Sequence, residues 1–404
     1  MSHYLSLPKA VKKLVVSYSM RGFAYPIFSI FVNAFIWRVS QSVWNISVYN
    51  LASFIGLPLG FFVNGFILKK IKIKQSYFLG LALSMLSVLA VIFFTGSHWS
   101  SFLLYGTIYG FGCGLYWSCR NYLSFQETKD GDRNYFLSLI SSIELLAQVI
   151  ISFLAGLLIM SGETSTWYTP IMAYWFLIFV TGLFTWLAGF TIKNVEYHSP
   201  VVTKIWQPFV SREWNTLRIV DFGIGLLEGI KFFLPTLLIL YFLGKEGVLG
   251  TITAIVSLLT ILFFYVYGRL AKPQHRKKVF LVSLVIHLIL AGFLALVHNG
   301  FNVIVYVLLS NLPQAFFWLT LEPWMLARMD KEVGENPEQK YFLVFDMELF
   351  LNMGRIISVL GFLAITYYLG TELALQITPL ILALIQIVVM ALAWRKLNLQ
   401  NGQI

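Results

Sequence analysis

The residues of this chain that could do chemistry are few, and they sit where charge is expensive. Arg21, Arg120, Glu144, Glu228, Lys231, Glu322, Asp346, Glu348 and Arg355 each lie inside a long apolar run. Charge in such a run is kept for pairing, for holding a polar solute or for carrying protons. Spacing narrows the roles. Glu228 and Lys231 are three apart, and Glu348 and Arg355 are two helical turns apart, so each pair shares a helix face along which it can neutralise itself. Trp117 precedes Arg120 by three residues and Trp318 precedes Glu322 by four, which places an aromatic wall beside a charge. Glu144 and Glu228 are candidate proton carriers, because an isolated carboxylate out of water takes up a proton unless a cation or solvent meets it. An H-E-x-x-H or G-x-S-x-G motif, a P-loop and a histidine cluster are all missing from the sequence. This disfavours an enzyme, a metal site and an ATP-driven machine.

The elements that must position these residues follow from composition. The 404 residues are 58% hydrophobic and only 12% charged, against about a quarter charged in soluble proteins. A hydrocarbon core of about 30 Å takes about 20 apolar residues per helix, so the length suits about twelve crossings. Apolar runs bounded by charged or turn residues predict spans at 14–36, 43–68, 76–95, 101–123, 135–160, 170–192, 219–243, 250–269, 279–297, 301–327, 340–366 and 373–393. With both termini cytoplasmic, the loops assigned outside carry only Arg38 and Lys245 of the 29 Lys and Arg, whereas all the other loop cations fall inside. The formal charge of +11 therefore belongs to membrane topology and calls for no nucleic-acid partner. Cys113 and Cys119, six apart on one span, are poorly placed for a disulfide or a metal.

An internal duplication organises the spans. A shift of 206 lays Tyr135, Phe136 and Leu137 on Tyr341, Phe342 and Leu343, and the register continues through Leu145 on Leu351 and Ile150 on Ile356. At 207, Arg21 and Gly22 fall on Glu228 and Gly229; at 201, Tyr116 and Trp117 fall on Phe317 and Trp318. The chain thus reads as an all-α membrane protein of 6 + 6 spans. Residues 1–192 form one bundle and 219–404 the other, joined by a polar linker, 193–218, that contains Pro200 and Pro208.

These features resemble the major facilitator superfamily, in a permease branch of bacterial type. The family signature G-x-L-A-D-R-x-G-R-K is matched between spans 8 and 9 by Gly268, Leu270, Ala271, Arg276 and Lys277, and only by Gly65, Lys70 and Lys74 between spans 2 and 3. Lysine, as Lys69 and Lys272, replaces the signature aspartate in both copies, so the family's cytoplasmic charge latch is altered. The glycine and proline run of antiporter span 5 is missing from 145–157. The resemblance implies that spans 1, 4, 7 and 10 line a central cavity and that 3, 6, 9 and 12 face lipid. The charge distribution agrees, since the latter four hold His287 but no acid, lysine or arginine. It also implies close approach at a cytoplasmic gate by Gly65 and Gly268, with Arg276 and Lys277 beside the latter.

Helical rise gives depth. Glu144 lies roughly 15 Å in, near the midplane, with Arg21 and Glu228 at a similar level and Arg120 about 13 Å from the inner end. Asp346 and Glu322 lie only about 9 Å from the cytoplasmic end, within reach of water. The expectation is a secondary active transporter that moves a small polar or amphiphilic organic solute by alternating access, with protons as candidate coupling ion. Arg21, Trp117, Arg120, Glu228, Trp318 and Glu322 would bind the solute. Lys231, Asp346, Glu348 and Arg355 would pair or gate. The alternatives are a lipid or amphiphile translocator and a drug efflux permease; a non-transporting receptor or an intramembrane enzyme ranks last. No cofactor is expected, and the protein is placed as a monomer among the lipids of the inner (cytoplasmic) membrane.

Overall fold

The computed structural model describes residues 2–94, 98–128, 130–200, 202, 205, 210–270, 276–296, 299–333 and 339–401. Within them, side chains are described except at 2–3, 130–134, 265, 267–270, 276–277, 314–315, 317–324, 326–327, 330, 333, 340 and 393–401. The described chain is helical with no strand. After the short α1 (Ser2–Ser6) come α2 (Lys9–Pro26), a π-helical turn (Ile27–Phe31) and α3 (Val32–Ser40). Then follow α4 (Val43–Ile67), α5 (Ile73–Phe93), α6 (Trp99–Glu127), α7 (Asp130–Thr164) and α8 (Pro170–Ile192). The later helices are α9 (Arg212–Lys231), α10 (Leu234–Leu243), α11 (Glu246–Leu270), α12 (Arg276–Leu296), α13 (Gly300–Val333), α14 (Gln339–Leu369) and α15 (Thr371–Asn401). Among the described residues, ten helices are long and apolar enough to cross a membrane, with Lys9–Ser40 and Arg212–Leu243 each counted as one.

The two leading spans of the duplication are thus interrupted rather than straight. Pro26 lacks an N–H and is followed by the π turn; Phe232 and Phe233 separate α9 from α10, whose first turn holds Pro235. Proline removes the i to i−4 hydrogen bond and crowds the preceding turn, which accounts for both breaks. The seventh span also begins earlier than the apolar run suggests. Ser211 caps it by accepting from the Trp214 N–H, and Glu213 sits in the first turn, where the helix dipole favours an acid.

The chain divides into two compact units, Met1–Ile205 with Lys245–Ser257, and Trp206–Gly244 with Leu258–Ile404. In the first, glycines set how close the helices come. Gly56 and Gly60 of α4 face Gly106, Gly110 and Gly114 of α6, and a Cβ at any of them would strike the partner backbone. Four-residue spacing of small residues is how helices in lipid approach closely enough to gain dispersion energy. Gly80 of α5 and Gly112 of α6 do the same on another face. α6 is thereby clamped between α4 and α5, which fixes Tyr116, Trp117 and Arg120. In the second unit, Gly225 and Gly229 of α9 lie against the α14 backbone around Leu351 and Arg355, and Gly354 of α14 against Phe222.

The segment after α8 is anchored to the first unit. Lys74 Nζ donates to the carbonyls of Lys193 (3.1 Å) and Val195 (3.4 Å), and the Ile73 N–H to Ser199 Oγ (3.0 Å). The Tyr197 hydroxyl donates to the Ala10 carbonyl at 3.2 Å.

Candidate functional site

Most of the described buried charges fall into clusters, each inside one unit. In the first, α2, α6 and α7 bring Arg21, Arg120 and Glu144 together. Arg120 Nη2 donates to Glu144 Oε1 at 2.8 Å. Its guanidinium lies 4.4 Å from the Trp117 ring centroid and 5.0 Å from that of Tyr18, whose hydroxyl donates to the Arg120 carbonyl at 3.0 Å. Aromatic faces on two sides and one carboxylate thus hold a cation, while the Glu144 side chain keeps 32% of its surface exposed. Gly22 makes room for that carboxylate: a Cβ there would lie 2.9 Å from Glu144 Cγ. Arg21 is buried at 4% exposure. Phe28 and Tyr116 flank it, with ring centroids 4.1 and 5.4 Å from its Cζ.

The second unit pairs charge across helices where spacing suggested pairing along one. Glu228 accepts from Arg355 Nη2 (2.7 Å) and Nε (3.2 Å), whereas Lys231 donates to the Ser310 carbonyl. Glycines at 225 and 229 let α14 come near enough for Arg355 to reach Glu228, which beats an intrahelical lysine. Arg355 is held further by Asn352 Oδ1 (3.1 Å) and by Glu348 (3.5 Å), so the expected Glu348 to Arg355 proximity is present beside the unexpected one.

Asp346 differs most from its expected setting near water: its side chain is fully buried. Arg218 Nε and Trp214 Nε1 donate to its Oδ2, each at 2.7 Å, and Arg218 Nη2 to its Oδ1 at 2.8 Å. The early start of α9 supplies both donors. Arg38, expected in an external loop, closes α3 and pairs with Glu246 (2.7 Å) and Glu163 (3.0 Å); Glu246 also accepts from the Tyr174 hydroxyl at 2.7 Å. Asp221 lies within the predicted seventh span, yet spacing gave it no role; it is buried at 2% exposure, and its Oδ2 has no hydrogen-bond partner among the described residues. His287 is buried with neither ring nitrogen bonded there.

Gly65 packs against the Ile205 side chain, 2.9 Å from a Cβ placed on it. Gly268, Arg276, Lys277, Trp318 and Glu322 lie outside the residues whose side chains are described, so the second gate copy and half of the expected aromatic walls are not placed. Cys113 and Cys119 are buried and free.

Comparison with known proteins adds to this geometry. A sequence model described as Major Facilitator Superfamily matches residues 14–339. The chain is 27% identical over 364 residues to the uncharacterized protein YqgE of Bacillus subtilis, covering 88% of itself and 82% of that protein. It is 32% identical over 141 residues to an uncharacterized protein in the sodM 3′ region of Geobacillus stearothermophilus, covering 34% of itself and 65% of that sequence. Among solved structures, the nucleoside transporter NupG matches with a TM-score of 0.67 at 14% identity, over 96% of this chain and 100% of that one. The E. coli fucose:proton symporter FucP matches with a TM-score of 0.63 at 12% identity, over 95% and 98%. At such identities the structural likeness is one of fold.

Proposed function

Because the chain belongs to the major facilitator superfamily, we propose that it is a secondary transporter, carrying a small polar or amphiphilic organic solute by alternating access with protons as coupling ion. The observation that carries this reading is the Arg120 and Glu144 pair. It is held by a single hydrogen bond between side chains and is walled by Trp117 and Tyr18. A pair built only to brace would be saturated with partners, as Asp346 is. A partly exposed carboxylate beside a cation can instead exchange that cation for a proton or a solute group. That a proton symporter shares the fold makes such coupling compatible with the architecture.

The test is binding followed by flux. A thermal-shift screen of the purified chain against sugars, nucleosides, amino acids and carboxylic acids will give stabilising solutes, since a ligand of the native state raises its melting point. Arg120→Ala will express as a monodisperse protein and lose that stabilisation by at least tenfold in apparent affinity. An Arg120→Ala chain that fails to fold would make the residue a brace. Solutes that bind but never cross proteoliposomes would remove the transporter reading.

The inferred orientation, both termini cytoplasmic in the inner membrane, rests on the loop cations. With both native cysteines buried, background thiol labelling will be low. A cysteine at the exposed Thr164, the last residue of α7, will react with an impermeant maleimide from outside intact cells, and one at the exposed Gln126 only after permeabilisation. The reverse pattern would invert the topology.

A further inference from the structure

Among the described residues of the first unit, one buried cation has no carboxylate of its own. Among the described residues, Arg21 and Arg120 share the interior of α2, α6 and α7 with one carboxylate, Glu144, and that carboxylate bonds Arg120. Arg21 Nε and Nη1 are buried with no hydrogen-bond partner among the described residues, and the hydroxyl of Tyr116, whose ring centroid lies 5.4 Å from Arg21 Cζ, is in the same condition. A guanidinium does not shed its proton in a protein, so it cannot escape burial by neutralising itself.

The repeat shows what is missing. Glu228 falls on Arg21 in the duplication, and there the charge is met: Arg355, against whose backbone Gly229 packs, gives it two hydrogen bonds. Gly22 packs against the Glu144 side chain, yet Arg120 has taken that carboxylate. In the second unit the countercharge comes from a facing helix; in the first, no described residue supplies one to Arg21.

The surroundings of Arg21 describe the anion that fits. One excess charge asks for a monoanion. The Nε and Nη1 N–H groups point from different edges of the planar group, so each offers its own directed hydrogen bond, which suits an oxyanion better than a halide. The rings of Phe28 and Tyr116 against the guanidinium offer an apolar surface to the rest of the molecule, and Phe28 is placed there by the π turn that follows Pro26.

We propose that Arg21, between Phe28 and Tyr116, binds the carboxylate of an organic monoanion, and that this is the solute the protein carries. The word solute rests on the transporter reading; the anion site does not.

The test uses benzoate as probe on the purified full-length chain at fixed ionic strength, with benzamide as its neutral isostere and inorganic phosphate as the competing oxyanion. Benzoate will raise the wild-type melting temperature and benzamide will not. Arg21→Gln will lose at least nine-tenths of the benzoate shift while melting, without probe, at or above the wild-type temperature, because it removes a charge that the protein leaves unpaired. The proposal is overturned if benzoate fails to stabilise the wild type or acts no better than benzamide, if phosphate alone stabilises, or if Arg21→Gln keeps the benzoate shift. A variant that melts well below wild type without probe also overturns it, since Arg21 would then be satisfied inside the protein. Benzoate binding that fails while flux of another solute succeeds removes the anion site and leaves transport standing. Binding that holds without any flux does the opposite.

Discussion

Replacing Arg218 with alanine will destabilise the protein by about 3–5 kcal/mol, the cost of stranding one member of a buried ion pair. Asp346 is fully buried, and three of its hydrogen bonds come from Arg218 Nε, Arg218 Nη2 and Trp214 Nε1. Removing the guanidinium takes two of those donors and the whole countercharge, leaving a carboxylate with an indole N–H. The unfolded chain in lipid also finds polar partners, which pulls the expected loss toward the lower end of the range. The double variant Arg218→Met with Asp346→Leu should recover most of it, because replacing both partners leaves nothing charged to solvate. Equilibrium unfolding in detergent micelles checks both statements. A loss under about 1 kcal/mol for Arg218→Ala, the range of surface ion pairs, would show that the cluster does not hold α9 to α14.

That cluster also marks where reading the sequence stopped short. The helices themselves were legible, because apolar length against bilayer thickness is a one-dimensional property, and ten of the described ones are long and apolar enough to cross. Partners are not, because side chains reach across helices whose approach depends on packing. Spacing along one helix offered Lys231 to Glu228; glycines on the facing surfaces brought Arg355 instead. The same limit hid Asp346. A span start set by hydropathy at 219 left Trp214 and Arg218 in the linker, while the Ser211 cap and the Glu213 first turn, both readable as helix-start signals, extend α9 to include them.

The interruptions of the leading spans had a readable cause in Pro26 and Pro235, but hydropathy averages over them. The Gly56 and Gly60 pair on α4 and the Gly106, Gly110 and Gly114 series on α6 were likewise present as a four-residue pattern. Their consequence, a clamped α6 that aims Arg120, needed the facing helix to be known. Asp221 required no structure to be noticed, only attention to every acid inside a span.

Substituting Glu144 with glutamine will abolish the response of transport to an imposed pH gradient, lowering gradient-driven uptake by at least tenfold while solute exchange persists. Two carboxylates compete for this role, and their surroundings separate them. Glu228 accepts two N–H groups from Arg355, which is also bound to Asn352 and lies beside Glu348. Its side chain is 11% exposed. Taking the charge off Glu228 would leave Arg355 with the more distant Glu348, 3.5 Å away, so Glu228→Gln should show itself as lost stability.

Glu144 has one bond to Arg120, a third of its side chain open, and a cation that two aromatic faces retain after the carboxylate lets go. A carrier must meet a proton source to load and a cation to drive the proton off again, and of the two Glu144 is the more exposed and the less tightly bonded. Exchange of solute across the membrane requires no net proton movement, so it isolates coupling from binding. If Glu144→Gln keeps the wild-type gradient response, or if wild-type flux ignores the gradient, the pair is a solute contact alone and the protein is a facilitator.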